Sequence, residues 1–173
     1  MPMPAGTSRV DEILARSTCE ATGLPPHPAL GVAIVTCMDA RIDPYAVFGL
    51  RPGDAHIIRN AGGLVSPYTL RSLVLSQRAL GTREILVAQH TDCGVHGLDD
   101  EALAAEITAE VGFPPTWRGG GFADLEQSVR ASMRRLRASP ELPHRDAIRG
   151  AIIDLVDGGV REVADEPPKE FPR

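Results

Sequence analysis

The sequence predicts an α/β fold in which a mainly parallel central β-sheet is flanked by helices and ends in a C-terminal hairpin strand. Three observations lead there. The runs "GVAIV" (31–35) and "EILVAQH" (84–90) are apolar and rich in β-branched residues, as parallel strands covered on both faces must be. Between such runs lie segments with apolar residues at helical spacing, bounded by caps and breakers. Alternation of the two kinds of segment is the signature of parallel strands joined by crossover helices.

Taken in order, residues 7–20 ("TSRVDEILARSTCE") read as a short amphipathic helix with Val10, Ile13 and Leu14 on one face. With the breaker "GLPPHP" this helix makes an N-terminal arm, residues 1–29. The strand 31–35 follows, then "VFGLRPGD" (47–54) as a loop and "AHIIRNAGG" (55–63) as a second strand ending in a glycine pair. Residues 66–81 form the clearest helix: Ser66 caps it, Pro67 occupies its first turn and Gly81 closes it. Its inward stripe is Leu70, Leu73, Val74, Gln77 and Leu80, with Gln77 the polar interruption. The strand 84–90 runs into "TDCG", and residues 99–111 continue as a helix. "PPTWRGGG" breaks the chain before a second amphipathic helix, 122–138, carrying Phe122, Leu125, Val129, Met133 and Leu136. The strand "AIRGAIIDLV" (147–156), the turn "DGG" and "VREVA" (160–164) make the hairpin, and the Pro-rich, charged residues 165–173 are expected to be a flexible tail.

Bulk properties narrow the function classes. A chain of 173 residues, read as a single domain over 1–173, is long enough to bury a real core. A net charge of −5 leaves no electrostatic footprint for nucleic acid or an anionic membrane surface. No apolar stretch approaches the roughly 20 residues of a membrane span, and the first residues lack the apolar core of a secretory signal, so a cytoplasmic protein is expected. The three cysteines, Cys19, Cys37 and Cys93, are too few and odd in number for a disulfide framework. Cys19, alone near the end of its helix, reads as packing.

Chemistry-bearing residues gather where strands end: "CMDAR" after the first, "RNAGG" after the second, "HTDCG" after the third. Open α/β sheets bind ligands beyond the carboxyl ends of their strands, so Cys37, His90 and Cys93 are expected to converge. Two cysteines and a histidine are a recognised zinc set with a fourth position left over. A closed structural zinc site and a cysteine nucleophile with a histidine base remain alternatives on the residues alone. Asp39 and Arg41, two apart on an extended segment, face one side and read either as a functional pair or as a surface ion pair.

Together these motifs resemble the β-class carbonic anhydrases, in their short archaeal and mycobacterial branch, from "GVAIV" to the final hairpin. The resemblance implies a β-carbonic anhydrase-like fold, with one Zn2+ per subunit on Cys37, His90 and Cys93. It places an Asp39–Arg41 dyad beside the metal, with Asp39 as the fourth ligand of a closed state. Ala61, Gly62 and Gly63 would line the substrate pocket, although a tight turn after the strand is the favoured reading for Gly63 and a mixed role the one for Gly62. The implied activity is reversible hydration of CO2 to bicarbonate and a proton by metal-activated water. A carbonyl sulfide or carbon disulfide hydrolase and a non-catalytic zinc-binding regulatory module are the alternatives. The implied assembly is a homodimer or a dimer-based tetramer, with no nucleic-acid or membrane partner. Arg59 and Asn60 would hold the loop or a subunit contact, and His56 and His96 would either export protons or merely pack. One departure stands out: no glutamine before Cys37 matches the one that the plant branch directs at its substrate. Finally, two thiolates and a neutral imidazole cancel the charge of Zn2+. Its water should therefore be less acidic than the value of about 7 at a three-histidine site, and activity should rise into alkaline pH.

Overall fold

The computed structural model of the protein describes residues 8–19 and 23–165. Its centre is a five-stranded sheet in the order β2-β1-β3-β4-β5, made of β1 (Val32–Cys37), β2 (Ala55–Asn60), β3 (Glu84–His90), β4 (Ile148–Ile153) and β5 (Val160–Val163). The first four strands are parallel, with Val35 opposite Ile58 on one side and Val87 on the other, and Ala88 opposite Ala151. Only β5 is antiparallel, returning along β4 as the hairpin with Val160 opposite Ile153. The unbroken apolar runs are explained by their place: five of six residues in β1 are buried.

One face of the sheet meets α3 (Pro67–Leu80) and α5 (Leu125–Arg137), and the main core lies between them. It joins Ala33, Val35, Val87, Ile148 and Ile152 to Leu73 of α3 and to Val129, Met133 and Leu136 of α5. The approach of α5 is so close that a Cβ on Gly150 would overlap Val129 and Met133, so β4 needs glycine there. Helix α3 starts and stops where its sequence dictates. The Ser66 hydroxyl accepts from the Thr69 N–H, and Gly81 ends it in the left-handed region. Gln77 interrupts its apolar stripe at no loss, because its amide exchanges two hydrogen bonds with the backbone of His144.

Several boundaries differ from the expected ones for local reasons. A short helix, α2 (Pro44–Phe48), occupies part of the expected loop; Asp43 caps it, Pro44 opens it and Gly49 closes it in the left-handed region. Five residues are too few to show a period. Helix α5 begins at Leu125 and not at Phe122, because Asp124 takes the capping position by accepting from the Gln127 N–H. Phe122 instead lies in a bridge to His96. Strand β4 stops at Ile153, where the Asp154 carboxylate accepts from the N–H groups of Val156 and Asp157 and turns the chain. Helix α4 (Asp100–Val111) is capped by Asp99 as its sequence suggests. Helix α1 is shorter than expected, Arg9–Arg16, and none of its residues is buried. The rest of the arm's residues 1–7 and 20–22, and of the tail 166–173, lie outside the described residues.

Candidate metal centre

The chain leaves β1 toward β2 on one side and later crosses to β3 on the other, so the gap between the ends of β1 and β3 is a topological switch point. Cys37 is the last residue of β1 and His90 the last of β3, with Cys93 three residues on. Their donor atoms lie within 4.8 Å of one another, and all three residues are buried.

The geometry of these donors suits a tetrahedral metal. The two sulfurs are 3.9 Å apart, far beyond a disulfide bond of about 2.05 Å. Two thiolates each about 2.3 Å from one tetrahedral ion would be separated by about 3.8 Å. The His90 Nδ1–H donates to the Thr91 carbonyl at 2.8 Å, which fixes the tautomer and leaves Nε2 as the free lone pair. That Nε2 is buried and has no hydrogen-bond partner. Burying such an atom unpaired costs about 1–3 kcal/mol, which ligation of a metal would offset. Burial, and then the neighbouring Cys37, pushes the Cys93 thiol above its ordinary pKa. Without a metal it is therefore a neutral thiol at neutral pH.

Beside the donors sits the Asp39–Arg41 pair. The guanidinium grips both carboxylate oxygens, Nε to Oδ1 at 3.0 Å and Nη2 to Oδ2 at 2.8 Å, and the Arg41 N–H adds a bond to Oδ1 at 2.9 Å. These bonds hold the Asp39 carboxyl well below the usual carboxylate range. The carboxylate is turned toward Arg41, yet its Oδ2 lies only 3.9 Å from His90 Nε2. An ion pair at this position adjoins the donor group and is not a distant surface contact.

The second strand end completes the floor. Arg59 donates to the carbonyls of Cys37 and Asp39, at 3.0 and 2.7 Å, and so holds the segment between them. Asn60, opposite Cys37 in the sheet, bonds both the N–H and the C=O of Leu64 and closes the 3-10 turn Ala61–Gly63. Gly62 and Gly63 have φ of 74° and 62°, a turn that favours glycine. Gly63 is also packed hard: a Cβ there would meet Cys37 N and Thr36 C at 3.1 Å and Ala88 O at 3.2 Å. A Cβ on Gly62 would meet Leu64 and Val95 side chains.

Other sequence candidates fall elsewhere. His56, on β2, bonds Ser76 and the Pro26 carbonyl. His96 bonds the Ala123 carbonyl and packs on Phe122. Two residues that the sequence reading passed over hold the donor loop. Thr91 ties it to the end of β4, accepting from the Leu155 N–H and pairing with Asp154. Asp92 bonds Arg41 and has φ of 55°, the one positive value outside glycine among the described residues. Asp is among the few side chains that tolerate that region, and an Asp between two donor residues was the available signal.

Comparison with known proteins agrees with this geometry. The family model described as carbonic anhydrase matches residues 32–112, which include all three donors. "Beta-carbonic anhydrase 1" of Mycobacterium tuberculosis is 41% identical over 157 residues, covering 88% of this chain and 96% of that protein. The crystal structure of a carbonic anhydrase from Streptococcus mutans superposes with a TM-score of 0.74 at 40% identity, covering 88% of this chain and 91% of the other. A carbon disulfide hydrolase of Acidithiobacillus thiooxidans is more distant, 29% identical over 80% of this chain and 79% of its own length. With the buried Cys-His-Cys group at the switch point and relatives matched over nearly their whole length, the chain belongs to the β-carbonic anhydrase family.

Proposed function

We propose that this chain catalyses the reversible hydration of CO2 to bicarbonate and a proton, with Cys37, His90 and Cys93 holding one Zn2+ and Asp39 and Arg41 serving as the dyad beside it. The observation that carries the proposal is the buried, unpartnered His90 Nε2 facing two thiols at tetrahedral spacing. Zn2+ held there supplies Lewis acidity and lowers the pKa of a water, making a nucleophile available in a buried site. The chain's own residues do the rest. The Thr91 carbonyl accepts from Nδ1–H and so leaves the Nε2 lone pair toward the metal. Asp39, ionised because Arg41 holds it so, accepts a hydrogen bond from the attacking hydroxyl and orients it. The Ala61–Gly63 turn, pinned by Asn60, brings Gly63 without a side chain up against the Cys37 backbone, which suits a small linear substrate.

The group of three donors among the described residues supports an open site, since structural zinc sites close with four protein ligands. The protein is proposed to act in the cytoplasm, supported by free cysteines, and as a single-domain homodimer or dimer-based tetramer. Helix α1 supports the assembly: eight residues are too few for a stable isolated helix, and its Val10, Ile13 and Leu14 are 51–67% exposed. Stopped-flow hydration of CO2 by zinc-loaded protein, with hydrolysis of carbon disulfide measured on the same sample, tests the reading. Rapid CO2 hydration without sulfide release is expected; sulfide release with negligible hydration would assign the chain to the hydrolase branch.

A further inference from the structure

Arg41 does more than hold Asp39. Its Nη1 donates to Asp92 Oδ2 at 2.7 Å, and its Nη2 also donates to the Asp92 carbonyl at 2.9 Å. Together with the two bonds to Asp39, every nitrogen of the guanidinium is engaged, and one residue supplies half of the grips. That residue lies between His90 and Cys93, so the guanidinium is tied to the loop that carries two of the three donors. Its left-handed backbone, φ 55°, lets the carbonyl and the carboxylate of one residue reach the same group. Meanwhile Asp39 Oδ2, 3.9 Å from His90 Nε2, is near enough to the donors that its bonds to Arg41 are what keep it out of a fourth ligand position.

From this geometry we infer that Asp92 is a positioning residue: by bracing Arg41 from the donor loop, it keeps the Asp39 carboxylate turned away from the metal and the fourth position free. The inference rests on the proposed metal site. Both partners of the outer pair are exposed, Asp92 at 74% and Arg41 at 51%, so the brace is modest. An exposed pair of this kind shifts the balance between the open and closed arrangements about two- to five-fold.

The test uses Co2+-loaded protein, whose visible spectrum reports the ligands of the metal, titrated with azide as the probe for the fourth position. Asp92→Gly removes the carboxylate, keeps the carbonyl and relieves the left-handed backbone. Asp92→Asn keeps an acceptor oxygen and tolerates the same φ. Asp92→Gly is expected to weaken apparent azide affinity about two- to five-fold, because azide must then displace Asp39 more often. Asp92→Asn should recover most of the wild-type affinity. Adding Asp39→Asn to Asp92→Gly should abolish the difference that Asp92→Gly makes in an otherwise wild-type chain, a result that general disruption of the loop would not give. Unchanged azide affinity in Asp92→Gly, or an equal loss with Asp39→Asn in place, overturns the inference while leaving the metal site standing. Wild-type protein that binds no Co2+ at one per chain would overturn the site itself, and the inference with it.

Discussion

Gly63→Ala probes the most crowded contact of the site. Gly63 has φ of 62°, and Gly49, at the end of α2, has the same φ with nothing within 4 Å of a built Cβ. The pair separates backbone strain from crowding. Placing alanine in the left-handed region costs about 1–2 kcal/mol at either position. At Gly63 the new carbon would also lie 3.1–3.2 Å from Cys37 N, Thr36 C and Ala88 O, inside the optimum of about 3.5–4.0 Å. Those atoms are backbone of adjacent strands and cannot rotate away, so overpacking adds about 1–3 kcal/mol. With a urea m-value of about 2 kcal/mol/M, Gly49→Ala should lower the unfolding midpoint by about 0.5–1 M and Gly63→Ala by about 1–2.5 M. Both are measured with chelator present, so that metal binding does not enter. The displaced atoms include the backbone of Cys37, so Gly63→Ala should also lose Zn2+ to a chromophoric chelator that leaves Gly49→Ala loaded. Equal midpoints and equal metal retention in the two variants would refute the close-packing argument.

Other expectations follow from the same geometry. Free Zn2+ at 1,000 times its Kd stabilises the native state by about 4 kcal/mol, so chelation should lower Tm by about 8–16 °C in differential scanning calorimetry. No change would mean that the donors hold no metal. Because Cys93 is protonated in the metal-free protein, Zn2+ uptake at pH 7 should release protons, seen as a binding enthalpy that varies with the ionisation enthalpy of the buffer. Arg41→Ala frees Asp39 and should lower kcat/KM for CO2 about 10- to 100-fold; full activity would remove the dyad from the mechanism. From neutral to alkaline pH kcat/KM should rise, since two thiolates offset the charge of the metal. Asp39 does not shape that rise: its lowered pKa keeps it charged throughout, and its charge is lost only as pH falls through that lowered value.

The sequence showed the parts of this molecule that depend on short-range rules. Parallel strands buried on both faces must be continuously apolar, so β1 and β3 were readable, and the caps of α3 are local hydrogen bonds spelled out by Ser66 and Gly81. Convergence of Cys37, His90 and Cys93 followed from where those strands end, because topology brings strand ends together whatever the intervening sequence. What stayed hidden depends on contacts distant in sequence. Asp92 and Arg41 lie 51 residues apart, and nothing in either motif signals that they meet. The anchoring of the Cys37–Asp39 segment by Arg59 likewise needs the register of β1 against β2. Helix α2 escaped because a five-residue helix defined by its caps has no period to read.

The central claim is that catalysis belongs to a metal held by Cys37, His90 and Cys93. The most direct measurement starts from metal-free protein, adds Zn2+ in steps, and follows CO2 hydration by stopped flow beside bound zinc. The account predicts a rate that climbs in proportion to occupancy and stops at one zinc per chain, with Cys93→Ala failing both to bind and to turn over. Hydration that persists without zinc, or a saturated site that does not accelerate hydration, would contradict it.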